Sequence, residues 1–353
     1  MKLGIVGLPR SGKTTLFSAL TGRPYEELLG SGKAGSVQGV VPVPDERLNW
    51  LSEQYSPKKT TPATVIYYDF YGGADVEDRK NYISLLLTNV RPLDALIMVV
   101  RNFEDPVMGP PDVGRDFRTL EEEFLIADLS TVEKRLEKVE QERKKGKKGI
   151  EHEAELLSEC SKVLNREEPL RNYPELATAP ELRGFTFLTA KPLLVVVNND
   201  DSNESLPDVD FRGVEAVAVR AKLEMEIVQL PPDEVETFRQ SFGVKSLARD
   251  VVIRKSYALL RLITFFTVGE DEVKAWTIPE GTTALKAAGT IHSDMEKGFI
   301  RAEVVAYDDL RKAGSYSAAR KEGLVRLEGK EYVVHDGDII HIRFGVSSPA
   351  GKK

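Results

Sequence analysis

The chain has 353 residues, 41% hydrophobic and 30% charged, which at roughly 150 residues per domain predicts two or three domains, each with its own core. That mix excludes collagenous, mucin-like and wholly disordered chains. Its 49 basic and 56 acidic residues sum to −7, so any nucleic-acid binding needs a local basic patch rather than bulk attraction. One cysteine, Cys160, permits no internal disulfide, and four histidines (His152, His292, His335, His341) are too scattered for a metal cluster. No apolar run approaches the roughly 18 residues of a membrane span. Met1-Lys2 opens directly into Leu3-Gly4-Ile5-Val6, too short a lead for a signal-peptide core, so a cytoplasmic protein without a membrane partner is expected.

In chain order, residues 3–6 read as a short buried strand. Gly7-Leu8-Pro9-Arg10-Ser11-Gly12-Lys13-Thr14 follows, a G-x-x-x-x-G-K-T, and Thr15 leads into an amphipathic helix carrying Leu16, Phe17 and Leu20. Such a segment binds phosphate for a mechanical reason: glycines let successive backbone N–H groups turn inward, and the helix N-terminus adds partial positive charge. Lys13 can then reach the β- and γ-phosphates, and the Thr14 hydroxyl can sit on Mg²⁺. Ser31-Gly32-Lys33 repeats part of the pattern without a strand before it, and residues 30–35 read as a mobile loop.

The next strand, residues 64–69, ends in Asp69-Phe70-Tyr71-Gly72. This D-x-x-G puts a carboxylate where it could hold Mg²⁺ through water, and a glycine able to meet a γ-phosphate. Residues 95–100 and 193–197 are apolar runs typical of central parallel strands, and 216–219 is a fainter one. Phosphate sites belong at the carboxyl ends of such strands. The fourth of these five strands runs into Asn198-Asn199-Asp200-Asp201, which keeps the spacing and the aspartate of the guanine-reading N-K-x-D loop but has Asn199 in place of lysine. After the fifth comes Arg220-Ala221-Lys222, similar to the S-A-K segment that touches the base. Each tetrapeptide alone reads as a polar loop; falling in order after consecutive strands, the two together point to base contact.

Between the third and fourth strands, Leu125, Leu129, Val132, Leu136 and Val139 form a coiled-coil seam. A second apolar stripe follows at Leu156, Leu157, Cys160, Val163 and Leu164, with Cys160 serving packing. The pattern predicts a helical hairpin whose tip, Arg143-Lys144-Lys145-Gly146-Lys147-Lys148-Gly149, is basic. That tip reads either as a solvated turn or as a contact for RNA phosphates. From about residue 262 the texture becomes short strands and turns: 264–267, 273–278, a capped helix at 284–288, then 299–304 and 332–342 with a tight turn at Asp336-Gly337. A compact mixed sheet serving as an interaction module is predicted, its histidines suited to packing or partner contact rather than catalysis.

Four stretches carry a resemblance to the YchF (Obg-like ATPase) family of translation-factor-class P-loop NTPases: Gly4-Ile5-Val6-Gly7-Leu8-Pro9, Gly39-Val40-Val41-Pro42-Val43-Pro44-Asp45, Lys274-Ala275-Trp276-Thr277-Ile278-Pro279 and Lys297-Gly298-Phe299-Ile300-Arg301-Ala302. The resemblance covers nearly the whole chain. It implies an α/β fold with a GTPase-like core in residues 1–118 and 185–261, an inserted helical coiled-coil domain in 119–184, and a C-terminal TGS domain of ubiquitin-like (β-grasp) fold in 262–347. It also implies ATP and/or GTP hydrolysis with Mg²⁺, and association with ribosomes or RNA, with no DNA specificity. The implied nucleotide contacts are residues 7–15 with Gly72, Asn198, Asn199, Asp201, Ala221 and Lys222, and the implied metal ligands are Thr14 and Asp69.

This sequence departs from the family pattern in several places. Arg10 stands where an asparagine associated with an activating monovalent cation is usual. Lys33 aligns with the threonine of the first mobile loop, and Gly73-Ala74-Asp75 follow the D-x-x-G in a shortened segment. Residues 104–116 contain no histidine to match one proposed as catalytic in the family. From these substitutions, Arg10 is expected to place its guanidinium near the β–γ bridge as a permanent charge, joining Lys13 in catalysis. Asp201 is expected to favour guanine. The leading functional expectation is therefore a nucleotide-switched, translation- or stress-linked NTPase of low intrinsic activity. A nucleotide-holding scaffold or sensor without useful hydrolysis is the alternative. A small-molecule kinase would need an arginine-bearing lid and an acceptor pocket, against which the hairpin and C-terminal module argue.

Overall fold

The computed structural model describes residues 1–28, 35–71, 79–244 and 246–345. In chain order their strands are β1 (Lys2–Gly7), β2 (Gly35–Pro42), β3 (Lys59–Thr61), β4 (Thr64–Tyr71), β5 (Ala95–Asn102), β6 (Leu193–Asn199), β7 (Ala216–Val219), β8 (Leu262–Thr267), β9 (Glu272–Pro279), β10 (Phe299–Ala306), β11 (Arg326–Glu328) and β12 (Asp338–Phe344). Two sheets result, ordered β2-β4-β1-β5-β6-β7 and β11-β10-β12-β8-β9-β3.

In the first sheet, β1 pairs in parallel with β4 and β5, β5 with β6, and β6 with β7. β5 is buried over its first seven residues and β6 throughout, which is why both read as unbroken apolar runs. Side chains of Val6, Met98, Val100, Val195 and Val197 pack against Phe117, Leu120 and Phe124 of a long helix, α1 (Val113–Lys144). That helix belongs to two cores. Past Leu125 its apolar face turns to a second helix, α2 (Glu151–Asn165), through Val132 and Val139 against Leu157, Cys160 and Val163. Arg135 ties the pair by donating to both Glu153 oxygens at 2.6 and 2.8 Å. The base of the hairpin is pinned by the fully buried Asp128, which accepts from the Leu188 and Thr189 amides and the Thr189 hydroxyl at 2.7–3.1 Å. Glu121 and Arg171 add a buried forked ion pair. The tip turns through Lys145-Gly146, and residues 143–149 are exposed as the charge pattern requires.

The second sheet is mixed. The hairpin β8–β9 is antiparallel, β12 returns parallel to β8, and β10 lies antiparallel to both β12 and β11. A helix at Ala284–Ile291 buries Ala284, Ala287 and Ala288 against Phe265, Ile278, Val304 and Ile340. Thr283 occupies its N-cap position, but its side chain makes no capping hydrogen bond. The run predicted as a strand over 332–342 is a strand only from Asp338, because Asp336-Gly337 forms the turn that admits it.

The described contacts group residues 1–41 with 66–259, and residues 42–65 with the chain from 260 onward. This division departs from the expected one in two places. Residues 42–65 join the second unit, because β3 pairs in parallel with β9, Arg47 forms an ion pair with Asp336, and Trp50 meets the Tyr307 ring edge-on. The hairpin groups with the first sheet, because α1 runs unbroken from Val113 across the expected boundary at 118/119.

Candidate functional site

The site grows from the end of β1. A Cβ on Gly7 would lie 2.5 Å from Ser11 Oγ and 2.6 Å from the Val99 carbonyl, so this position accepts no side chain. The loop closes through the Ser11 amide to the Leu8 carbonyl at 3.2 Å. Gly12, at φ 90°, is left-handed backbone, and a Cβ there would fall 2.1 Å from Asn198 Nδ2. The helix that follows, Lys13–Thr21, has no side-chain cap and no acidic residue in its first turn. Its N-terminal amides therefore meet no competing carboxylate from the helix itself, which is what an anion site requires. Lys13 is buried and donates from Nζ to the Leu8 carbonyl at 2.9 Å, folded back over the loop. Leu8, Pro9, Thr14 and Thr15 are half-exposed or less.

Asp69 lies in β4 opposite Ile5 of β1 and is completely buried. Among the described residues neither of its carboxylate oxygens has a hydrogen-bond partner, and neither does the buried Ser11 Oγ. Burial pushes the Asp69 pKa up; the neighbouring Thr14 hydroxyl, Lys13 charge and Phe70 amide act the other way without completing a hydrogen bond. An unpartnered carboxylate beside a cation and a hydroxyl is an arrangement short of one positive ligand. Gly72 and Lys33, also expected at this site, lie outside the described residues.

The two expected base loops come together through Asn198. Its Nδ2 donates to the Ser11 carbonyl and its Oδ1 accepts from the Ala221 amide, both at 3.1 Å, so one buried amide joins the phosphate loop to the segment after β7. Asn199 is placed differently from expectation. It is 3% exposed, accepts from Asn102 and donates to the carbonyls of Asn203 and Ser205, so it shapes its own loop and presents no edge to a base. Asp201 is partly exposed, with Lys222 Nζ 4.0 Å from its carboxylate and Arg220 donating to its carbonyl at 3.4 Å.

Arg10 is held by a residue that no motif indicated. At φ 63° it sits in the left-handed region, and its Nε and Nη2 fork onto Asp105 at 2.9–3.0 Å. The guanidinium and two backbone amides hold the Asp105 carboxyl down at about 2. Arg101, 2% exposed at the end of β5, organises the loop beneath by donating to the carbonyls of Phe103, Gly109 and Pro110. A charged residue closing a buried strand was the available signal for Arg101; Asp105, 95 residues from Arg10, offered none.

A parallel sheet with a glycine loop between its central strand and a helix, and asparagine and aspartate at the carboxyl ends of the neighbouring strands, defines a P-loop fold of the GTPase-like kind. The comparisons agree. The YchF-GTPase_C family model, described as a protein of unknown function (DUF933), matches residues 262–345. The ribosome-binding ATPase YchF of Bacillus subtilis (strain 168) is 39% identical over 361 residues, covering 97% of this chain and 99% of the relative. The protein of the same name from Escherichia coli O157:H7 is 37% identical, covering 98% and 99%. The solved structure of the Schizosaccharomyces pombe YchF GTPase superposes with a TM-score of 0.80 at 30% identity, covering 97% of each chain. The chain belongs to the YchF family.

Proposed function

We propose that this protein binds ATP and/or GTP in the loop of residues 7–15, hydrolyses it at a low intrinsic rate, and couples the bound state to a ribosome or RNA partner. The observation that carries the reading is the orphaned carboxylate of Asp69 beside Thr14 and Lys13, at the mouth of an uncapped helix N-terminus. Those residues fit Mg²⁺: Thr14 would ligate it directly and Asp69 through water. Bound there, the ion would neutralise charge on the β- and γ-oxygens. Lys13 would exchange the Leu8 carbonyl for phosphate oxygens, and Asn198 holds the loop in register with Ala221. Asp201 is the acceptor available to guanine N1 and N2, and Ala221 and Lys222 flank the base; Asn199 supports this loop from within.

The names of the relatives, ribosome-binding ATPases, agree with a partner of this kind. In this chain the exposed Arg143, Lys145 and Lys148 at the hairpin tip would meet RNA phosphates. The second unit, matched over residues 262–345, would act as the TGS domain. The scaffold reading is favoured by one observation: residues 103–112 carry no histidine and use Asp105 to hold Arg10.

Calorimetric titration with ATP, GTP and their diphosphates tests the first part. Affinity that rises with Mg²⁺ and falls about 100-fold or more in Lys13→Ala is expected, since charge-assisted contacts to phosphate are among the strongest available; a variant binding as well as the parent would refute the assignment. Single-turnover hydrolysis with and without ribosomes decides between enzyme and scaffold. Reversing Lys145 and Lys148 to glutamate should weaken RNA binding and lower the slope of log affinity against log salt by roughly one per lost contact.

A further inference from the structure

The loop after β5 is built around Arg10 to a degree that chain connection alone does not require. Asp105 is 8% exposed and saturated with donors: the Arg10 fork, then the Val107 and Met108 amides at 2.9 Å. Its own backbone closes a small antiparallel bridge with Gly109, at 2.8 and 3.3 Å. Beneath that bridge Arg101 fixes three carbonyls, and immediately after it Asp112 caps α1 by accepting from the Arg115 amide. The carboxylate therefore has no freedom to follow its partner; the partner is brought to it.

Arg10 shows the matching constraint. Its backbone is left-handed at φ 63°, a conformation rare outside glycine, and its side chain runs from the phosphate loop onto Asp105. Asp105 engages Nε and Nη2 of a group with five N–H donors, and among the described residues no hydrogen bond takes up the Nη1 donors, which could meet a second anion. The Arg10 side chain also remains 44% exposed. A planar fork holding one carboxylate along one edge while presenting its other donors to phosphate is geometry that lysine cannot reproduce.

We propose that Asp105 is a positioning residue of the phosphate-loop site, fixing the Arg10 guanidinium as a protein-supplied cation for the triphosphate, with Arg101 setting the place of Asp105 from below. The inference rests on the nucleotide reading above and adds to it a residue and a mechanism of orientation. The competing role for the same pair is sequestration, in which Asp105 neutralises Arg10 and withholds it from the ligand.

The test is steady-state ATP and GTP turnover by the full chain, with kcat and KM separated. Asp105→Asn keeps the shape and removes the charge; kcat is expected to fall about 10-fold with KM within about 2-fold, and Asp105→Glu to recover part of the loss. Arg10→Ala should lose at least as much, and the double variant no more than Arg10→Ala alone. Millimolar guanidinium ion should restore part of the rate to Arg10→Ala but not to Arg10→Ala/Asp105→Asn, a readout that a purely structural role does not move. An unchanged or higher kcat in a folded Asp105→Asn, or equal rescue of both alanine variants, overturns the positioning role. So does an unmodified chain that binds nucleotide without turning it over. If the unmodified chain binds no nucleotide, the reading beneath falls and this inference with it.

Discussion

Asp69 and Asp128 are both completely buried, both pushed up in pKa by that burial, and otherwise opposite. Asp128, at the base of the helical hairpin, accepts from two amides and a hydroxyl and lies 3.6 Å from Arg91. Asp69, at the carboxyl edge of the sheet beside the phosphate loop, accepts no hydrogen bond from the described residues. A buried carboxylate whose two oxygens both accept hydrogen bonds holds chain segments together. One without hydrogen-bond partners in the same fold is open to a ligand, as the proposed function requires. The contrast separates architecture from chemistry within one unit of the molecule.

Removing each carboxylate should break the two regions in different ways. Asp128→Ala is expected to cost about 3 kcal/mol, since the Leu188 and Thr189 amides would stay buried without an acceptor. In a unit of this size that is a fall of about 6–12 °C in Tm, read by calorimetry, with nucleotide affinity unaltered. Asp69→Asn should leave Tm within about 2 °C, or raise it, because it removes a buried charge whose burial outweighs the help of its neighbours. It should instead abolish about tenfold of the affinity that Mg²⁺ confers, measured by titration with and without the ion. Equal loss of stability in both variants would erase the distinction.

A third buried carboxylate sharpens it. Glu224 accepts from the Ala248 and Arg249 amides at the start of a helix, yet burial still raises its pKa to about 6. Its folded pKa lies above the unfolded value of 4.5, so the folded chain holds the extra proton between pH 4.5 and 6. Stability should be fully present below that window and fall by at most about 2 kcal/mol as pH rises through it. Denaturant titrations across about pH 4–7 should show this slope in the parent and a flatter one in Glu224→Gln. Glu224 thus resembles Asp128, partnered by backbone amides yet still raised by burial.

Much of the core is legible in the order of the residues alone. Residues 3–6, 95–100 and 193–197 lie in strands buried on both faces, and such strands announce themselves as unbroken apolar runs. β2, at the sheet edge, does not: Gly35–Pro42 mixes glycine and glutamine, and its burial alternates. The three-residue edge strands β3 and β11 are too short to carry any period. The first turns of α1 are hidden from the seam pattern because Phe117, Leu120 and Phe124 face the sheet, whereas the residues from Leu125 onward face α2. At the site, Asn199 shows the limit of reading by position in a motif. A tetrapeptide pattern gives spacing, but whether an amide points outward or closes its own loop depends on Asn102, Asn203 and Ser205.

The sequence by itself determined that a phosphate loop forms at residues 7–15. A buried strand, glycines able to turn left-handed and a helix start are all properties of residues within about a dozen positions of one another. What stands around that loop only the tertiary structure decided. The order β4-β1-β5 sets Asp69 on one side and the Asp105 loop on the other, and gives Arg10 a fixed partner 95 residues away. No local rule says which carboxylate lands beside which cation, because strand order is chosen by the packing of the whole sheet.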